Sequence, residues 1–397
     1  MAGRLPAFGN ELNGFKSGGC AKPTSQSGAA QFRKRATVMT DVQATIEKAK
    51  SILAGEKDPE SGRGLEEMNQ IGEVKLEDDR LSVTVGMTTH SAPLWDDVRD
   101  HLAQRLAAEL PELSEIKVEV VAQDRPPQKL GQIGLTAKSV IAVASGKGGV
   151  GKSTIASILA LGLKNAGCQV GLMDADVYGP SIPHLLGVTG QPEVHEKRIT
   201  PVEKDGLKVM SIGFMVPPDK AVIWRGPMLH GAITNFLRDT EWGNLDYLII
   251  DMPPGTGDVA LTLSQLLPLT GVVVVCTPQD VALLDAVKAI NMFEQLKIPL
   301  LGVVENMSYF QCPGCDQRYD IFGSGGARRR AEQMQIPFLG DVPINIQIRV
   351  HGDEGRTWEN FQDPETAQPL NAICYRLAKN LATQHKEEPP LPSLSVL

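Results

Sequence analysis

The hydrophobic pattern of residues 39–125 predicts a small α+β domain with the order helix, strand, strand, helix, strand. Apolar residues recur at helical spacing, then form two short runs around the acidic turn from Glu77 to Arg80, and then recur at helical spacing up to Pro111. The pattern rests on Val42, Ile46, Ala49 and Leu53, the runs 74–76 and 81–85, the series Trp95, Val98, Leu102, Leu106 and Leu110, and the final run 116–121.

Residues 139–385 show another pattern, in which short, continuously apolar runs alternate with helical ones. Strands of this kind are buried on both faces, so the pattern predicts an α/β fold with a doubly wound, mostly parallel sheet. The segment between the two domains, residues 126–138, begins with two prolines and is predicted to be a linker. The apolar runs are 140–144, 169–173, 245–250, 271–276 and 300–304.

Both ends of the chain have the composition of tails, at residues 1–38 and 386–397. The first 38 residues carry six Lys and Arg against a single Glu, without a long apolar stretch. Such a segment is typical of a disordered tail or of a misassigned start upstream of Met39. It also fits a mitochondrial transit peptide, and we otherwise expect a cytoplasmic protein because six cysteines are too few for a disulfide framework.

Composition narrows the classes of partner. The net charge of −8 argues against general affinity for nucleic acid or anionic lipid, which requires clustered Lys and Arg. No apolar run approaches the roughly 20 residues of a membrane helix. We therefore expect no nucleic-acid partner and no membrane partner.

A phosphate-binding loop follows the first strand of the second domain. The segment satisfies the P-loop pattern and lies between a strand and a helix, where glycine N–H groups and a helix N-terminus surround phosphate oxygens. Lys152 is expected to bind the β and γ phosphates of ATP, and the hydroxyl of Ser153 to bind Mg²⁺. The loop residues are Gly146, Lys147, Gly148, Gly149, Val150, Gly151, Lys152, Ser153 and Thr154.

The early lysine of the loop resembles the deviant Walker A motif of dimerising ATPases related to nitrogenase iron protein, MinD and ParA. The resemblance implies that Lys147 reaches the nucleotide of a partner copy. It implies that Asp176 orients the attacking water and that Asp251 holds Mg²⁺, both at strand ends. It also implies an adenine contact for Asn306.

Three further segments closely resemble the Mrp/ApbC iron-sulfur cluster carriers. These segments run from Asp176 to Ser181, from Trp224 to Met228, and from Asn306 through Cys312-Pro-Gly-Cys315 to Gly326. The first domain resembles the iron-sulfur assembly domain often fused ahead of this ATPase. The resemblance implies a homodimer that bridges a [4Fe-4S] cluster, receives it from scaffold proteins and delivers it to apo-proteins.

The cysteine pair leaves several alternatives open on residue chemistry alone. Cys312 and Cys315 supply two thiolates, whereas zinc sites and cubane clusters usually require four ligands, so a symmetric dimer is needed to complete either one. A structural zinc knuckle is one alternative. A redox pair is disfavoured because no helix begins at Cys312 to lower its pKa, and a surface turn with incidental thiols is the last alternative.

The first domain departs from its relatives in the loop after its second strand. Ala92 occupies the place where related domains often carry a cysteine, so we expect docking rather than cluster handling from this domain. His90 in the same loop is expected to be a surface residue.

The resemblance favours an ATP-hydrolysing cluster carrier. The rival interpretation is a positioning switch like MinD or ParA with a structural zinc knuckle. It would require a basic patch or an amphipathic anchor, and it leaves the cysteine pair without a transfer role.

Overall fold

The computed structural model describes residues 42–177, 179–215, 226–255 and 257–387. The predicted tail 1–38, most of the tail 386–397, and the motif residues Tyr178, Trp224, Arg225 and Thr256 lie outside these ranges. The chain forms two compact units, which meet in sequence between Lys48 and Ala49. The described part of the first unit is helical, and all strands named below belong to the second.

The described part of the chain contains ten α-helices. It also contains three 3-10 turns, at Thr89–Leu94, Ile212–Phe214 and Thr357–Phe361. They are α1 (residues 42–54), α2 (Trp95–Glu109), α3 (Lys152–Asn165), α4 (Ile182–Leu186), α5 (Gly226–Asp239), α6 (Gly257–Leu266), α7 (Asp280–Gln295), α8 (Gly326–Gln333), α9 (Ile346–Asp353) and α10 (Pro364–Glu387).

The described strands form a small sheet, a large sheet and two short hairpins. They are β1 (Ile71–Glu77), β2 (Arg80–Met87), β3 (Glu115–Ala122), β4 (Lys129–Leu130), β5 (Leu135–Ala144), β6 (Val170–Asp174), β7 (Glu193–His195), β8 (Arg198–Thr200), β9 (Val202–Lys204), β10 (Leu207–Ser211), β11 (Leu245–Asp251), β12 (Gly271–Cys276), β13 (Leu300–Glu305), β14 (Phe310–Gln311), β15 (Arg318–Tyr319) and β16 (Phe338–Asp341).

The small sheet has the order β1-β2-β3, with β1 antiparallel and β3 parallel to β2. Alternate residues of β2 are buried, which is the pattern of a sheet with one solvated face. Leu102 and Leu106 of α2 are buried as well, as their helical spacing predicts. The predicted α+β order is therefore confirmed.

The large sheet has the order β16-β13-β12-β5-β11-β6-β10-β9, and β4 pairs with β5. All neighbouring strands from β16 through β10 in this order pair in parallel. The strand β9 pairs antiparallel with β10, and β4 pairs antiparallel with β5. The predicted doubly wound, mostly parallel sheet is confirmed. The predicted linker 126–138 needs correction at its end, because β4 and the first residues of β5 lie within it.

Alternate residues of β5 belong to two hydrophobic cores, one on each face of the sheet. Val140, Ala142 and Ala144 pack in the core that contains apolar residues of α5 to α8. Ile141 and Val143 pack in the core that contains apolar residues of α3, α4, α9 and α10. This double burial is the physical reason for the continuous apolar runs of the sequence.

The loop after β2 is bound to β5 and β11, two central strands of the large sheet, and this corrects the expectation for His90. The ring of His90 is 4% exposed and stacks on Tyr247, with the ring centroids 4.4 Å apart. Its Nε2 lies 2.9 Å from Ser139 Oγ, and its carbonyl oxygen accepts a hydrogen bond from the Tyr247 hydroxyl at 2.7 Å. The partners that bury His90 are far away in sequence, and the local pattern therefore does not reveal its burial.

A network of charged side chains surrounds this loop. Lys138 at the start of β5 forms ion pairs with Glu60, at 3.2 Å, and with Asp246, at 3.1 Å. Arg125 forms ion pairs with Asp58, at 2.8 Å, and with Glu60, at 3.2 Å. These carboxylates are at most 14% exposed, so buried ion pairs link the segments that flank the small sheet to β5 and β11.

Candidate nucleotide site and cysteine hairpin

The phosphate-binding loop joins β5 to α3 at the carboxyl edge of the parallel sheet. Gly149 and Gly151 adopt left-handed backbone conformations, with φ of 79° and 82°. A side chain at Gly151 would also overlap Asn306, whose Nδ2 lies 2.1 Å from the position of a built Cβ. Backbone conformation therefore favours glycine at both positions, and lack of space also requires it at Gly151.

Lys152, in the first turn of α3, makes contact with the acidic residues that the sequence places at strand ends. Its Nζ lies 2.6 Å from Asp251 Oδ1 and 3.6 Å from Asp176 Oδ2, and it donates to Ser153 Oγ at 3.3 Å. Lys152 is 6% exposed and Asp251 is fully buried. The structure thus brings the four residues together, and their catalytic roles stay predictions.

Asp174 is a structural support for this site. Its carboxylate accepts hydrogen bonds from the backbone N–H groups of Asp176, at 3.0 Å, and of Ile182, at 3.2 Å. It also accepts one from the Ser211 hydroxyl at 3.0 Å. Burial, together with the charge of Asp251, raises the pKa of Asp174. Sequence reasoning missed Ser211, since nothing in the sequence marks β10 as the neighbour of β6.

The carboxylate of Asp251 is poised for a cation. Burial raises its pKa, although the ammonium group of Lys152 opposes that shift. Its Oδ2 is buried and makes no hydrogen bond with the residues that the structure describes. Because an unpaired buried oxygen is costly, the arrangement fits Mg²⁺ beside Ser153.

Lys147 is part of the phosphate-binding loop, whereas Asn306 contacts the loop from the end of β13. Lys147 is half-buried, and its side chain makes no ion pair within the described ranges. Asn306 is 6% exposed and donates from Nδ2 to the carbonyl oxygen of Val150 at 2.9 Å. Asn306 is therefore bound to the loop itself, and an adenine contact stays a prediction.

Cys312 and Cys315 lie in the turn between β14 and β15. The backbone N–H of Asp316 donates to the carbonyl oxygen of Cys312 at 2.9 Å, which closes the turn. The N–H of Gly314, the Cys315 thiol and the N–H of Cys315 lower the pKa of the Cys312 thiol. The turn itself supplies what we expected only from a helix N-terminus, so that argument against a redox pair does not hold.

The cysteines of the described chain fall into two groups. Cys315 is exposed and Cys312 partly so, whereas Cys168, Cys276 and Cys374 are buried. Burial raises the pKa of Cys276 and of Cys374 to about 12 and that of Cys168 further. Among the described residues no group of three or more His, Cys, Asp or Glu is arranged to hold a metal ion. A four-ligand site at the hairpin thus requires ligands from elsewhere.

Comparison with known proteins adds to this geometry. The family described as NUBPL iron-transfer P-loop NTPase matches residues 136–379, more than half of the chain. The chain belongs to this family. A second family, described as iron-sulfur cluster assembly protein, matches residues 46–120. Both matches confirm the resemblance to cluster carrier ATPases with an assembly-type N-terminal domain.

Several relatives and one solved structure support the family assignment. An iron-sulfur cluster carrier protein of Synechocystis is 42% identical over 348 residues, 84% of this chain and 97% of the relative. An iron-sulfur cluster transfer protein NUBPL of Dictyostelium discoideum is 52% identical over 259 residues, 63% of this chain and 79% of the relative. A nucleotide-binding protein of Archaeoglobus fulgidus in complex with ADP is 43% identical, with a TM-score of 0.51 over 58% of this chain and 90% of its own.

Within the described ranges, no helix combines the length and the apolarity that crossing a bilayer requires.

Proposed function

We propose that this chain is an ATP-hydrolysing carrier of iron-sulfur clusters. Two copies would hold one labile [4Fe-4S] cluster through Cys312 and Cys315 and transfer it from scaffold proteins to apo-proteins. The observation that carries the proposal is the exposed hairpin itself, with two thiols and a lowered Cys312 pKa, in a chain of the iron-transfer family.

The hairpin suits a cargo that has to leave again. A thiol with a lowered pKa is more often a thiolate, which is the form that binds iron. The backbone N–H groups of Gly314 and Cys315 compensate part of that charge, and Cys315 is open to solvent. Two thiolates from each copy complete four ligands, as cubane clusters require. Exposed ligands leave the cluster accessible to the thiols of a client protein.

The nucleotide loop supplies the second half of the proposal. Lys152 would exchange its contacts with Asp251 and Asp176 for the β and γ phosphates of ATP. Ser153 and Asp251 would hold Mg²⁺, which neutralises developing charge on the phosphates when bound. Asp176, released from Lys152, would orient the attacking water. Lys147, whose ammonium group is not engaged in an ion pair with described residues, would reach the nucleotide of the partner copy.

The rival function, a positioning switch with a zinc knuckle, shares the nucleotide loop but needs the hairpin only for folding. The two proposals therefore differ in what the thiols bind and in whether function survives without them. Zinc and iron-sulfur clusters use the same ligand type, so only metal analysis separates them.

The test is anaerobic reconstitution with iron and sulfide, followed by visible absorption, metal content and oligomeric state. We expect the wild type to gain a brown chromophore with about four irons per dimer, as one bridging cubane requires. The double variant Cys312→Ala/Cys315→Ala should stay colourless. Cys168→Ala, which removes a buried thiol, is the matched control and should behave as the wild type. Retained zinc and no chromophore in the wild type would overturn the carrier proposal.

A further inference from the structure

Glu305 is a buried carboxylate that the sequence analysis did not single out. It ends β13 and is 1% exposed, although its position follows a run of apolar residues. Sequence signals were present, since a charged residue closes an apolar strand directly before Asn306. A buried carboxylate is tolerated only where hydrogen-bond donors compensate its charge.

The donors to Glu305 come from both roots of the cysteine hairpin. Ser308 Oγ donates to Oε1 at 2.5 Å, from the residue at which the chain leaves the sheet. The backbone N–H of Gly325 donates to Oε1 at 3.2 Å, and that of Ala327 donates to Oε2 at 2.7 Å, from the point at which the chain enters α8. One carboxylate thus holds together the two ends of the segment that carries Cys312 and Cys315.

The next residue in sequence is bound to the phosphate-binding loop. Asn306 donates to Val150 through its side chain and to the carbonyl oxygen of Cys276, at 2.8 Å, through its backbone. Asn306 also lies close to Gly151, since a Cβ built on Gly151 would lie 2.1 Å from its Nδ2. Met307 then adopts a left-handed φ of 54°, uncommon outside glycine, which turns the chain sharply toward Ser308.

The start of α8 has little freedom to move independently of its neighbours. A Cβ at Gly326 would lie 2.6 Å from Leu283 of α7, and a Cβ at Gly146 would lie 2.2 Å from the backbone of Asp285 in the same helix. The helix α7 therefore touches both the first residue of the nucleotide loop and the second root of the hairpin. The carboxylate of Glu305 also stabilises the N-terminal end of α8, where negative charge is favourable.

From these contacts we infer that Glu305 is a positioning residue that couples the nucleotide site to the geometry of the cysteine hairpin. Glu305 and Asn306 are adjacent in the chain, and one binds the hairpin roots while the other binds the phosphate-binding loop. A shift of the loop on nucleotide binding then changes the separation of the roots. The inference rests on the proposed function and names its regulation.

The test measures thiol accessibility in the full-length protein without a cluster. Cys312 and Cys315 are alkylated with iodoacetamide in the presence and absence of Mg-ATP, and the rates are read by peptide mass spectrometry. For the wild type we expect nucleotide to change these rates by about fivefold or more, the lower range of measured coupling between sites. In Glu305→Gln the ratio should fall to about one, while binding of a fluorescent ATP analogue persists.

Matched variants separate coupling from general damage. Glu332→Gln makes the same chemical change on the exposed side of α8 and should keep the wild-type ratio. Ser308→Ala removes a single donor and should reduce the ratio partly, which keeps the test decisive if Glu305→Gln does not fold. Glu305→Asp keeps the charge but is one methylene shorter, so it should restore part of the nucleotide response.

The outcomes also distinguish this inference from the carrier proposal. A wild-type ratio of one, or a Glu305→Gln protein that keeps the full nucleotide response, would overturn the coupling role. Neither result affects iron binding by reconstituted wild type, which tests the carrier proposal alone. Conversely, the wild type could bind no cluster while Glu305→Gln still abolishes its nucleotide response. That pair of results would support the coupling role of Glu305 and overturn the carrier proposal.

Discussion

The loop Thr88–Leu94 and the turn between Cys312 and Cys315 occupy opposite extremes of exposure in the same protein. In the first, His90 is buried, stacked and hydrogen-bonded on two sides, and Ala92 packs against the core of the large sheet. In the second, the thiols lie at the surface and their main contacts are with their own turn. The resemblance of the first domain predicts a cysteine in the first loop, where this chain has Ala92.

This difference in exposure bears on which of the two domains can bind a cluster. A loop that handles a cluster has to be open to its partners, whereas the first loop is enclosed by β5, β11 and buried ion pairs. The hairpin has the opposite construction, with fixed roots and a free tip. We therefore expect the second domain, and not the first, to bind the cluster of the proposed carrier.

The largest expected effect comes from breaking the ion-pair network that encloses the first loop. Lys138→Met would leave Asp246 without its cation and Glu60 paired with Arg125 alone, in a buried setting, since the Lys138 side chain is only 9% exposed. Removing one partner of a buried pair typically costs about 3 to 5 kcal/mol. We expect a loss of this size in the free energy of unfolding, measured by urea denaturation.

An exposed ion pair is the control for that measurement. Arg349 pairs with Asp353 one turn later in α9, and both side chains are more than 60% exposed. Arg349→Met should cost less than about 0.5 kcal/mol, as such surface pairs do. Equal losses in the two variants would mean that the network around Lys138 does not enclose the loop.

The pH dependence of stability gives the next largest effect. Burial lowers the pKa of His90 from 6.5 to about 4; the charges of Lys138 and His385 add to this shift, whereas those of Glu60 and Asp246 oppose it. The folded state therefore keeps His90 neutral. The contribution of His90 to the free energy of unfolding is fully present above pH 6.5 and is lost as the pH falls toward 4. The shift corresponds to about 3 kcal/mol between these limits.

The contribution of His90 is obtained as a difference between two proteins. His90→Gln should be less stable at pH 8, because it loses the stacking on Tyr247, yet its stability should fall less steeply between pH 6.5 and pH 4. Burial also lowers the pKa of His385, which titrates in both proteins and cancels. Parallel pH profiles, from urea denaturation at several pH values, would show that His90 does not titrate in this range.

The comparison of the two regions also shows what the sequence could predict. The parallel strands and the nucleotide loop were predictable because their signals are local, namely continuous apolar runs and glycines at fixed spacing. The strands β16 and β10 were not, because each is short and mixes polar with apolar residues, without a continuous apolar run. Mixed polar and apolar residues in β10 give no alternation that marks it.

The candidate site divides in the same way. Lys152, Asp176 and Asp251 were predicted from motifs and are brought together by the order of the strands. His90 was misjudged because its burial is decided by Ser139 and Tyr247, which belong to the other domain. Glu305 was missed because only the folded hairpin brings its three donors to one carboxylate.

The smallest expected effect comes from returning a thiol to the first loop. Ala92→Cys adds one sulfur atom at a half-buried position, where the existing side chain lies 3.9 Å from the place of a Cβ on Gly167. Because the loop is fixed, we expect this thiol to react slowly with iodoacetamide and to add no iron in reconstitution. Val121→Cys on β3, at a position that is 38% exposed, is the control and should react fast.

The Ala92→Cys protein therefore tests whether the enclosure of the loop or the missing thiol prevents the first domain from binding iron. An unchanged iron content together with slow labelling would show that enclosure alone suffices, since the ligand has been restored without effect. Rapid labelling or additional iron would show that the loop opens in solution. In that case the absent cysteine, and not the packing around His90, would be what keeps this domain from binding iron.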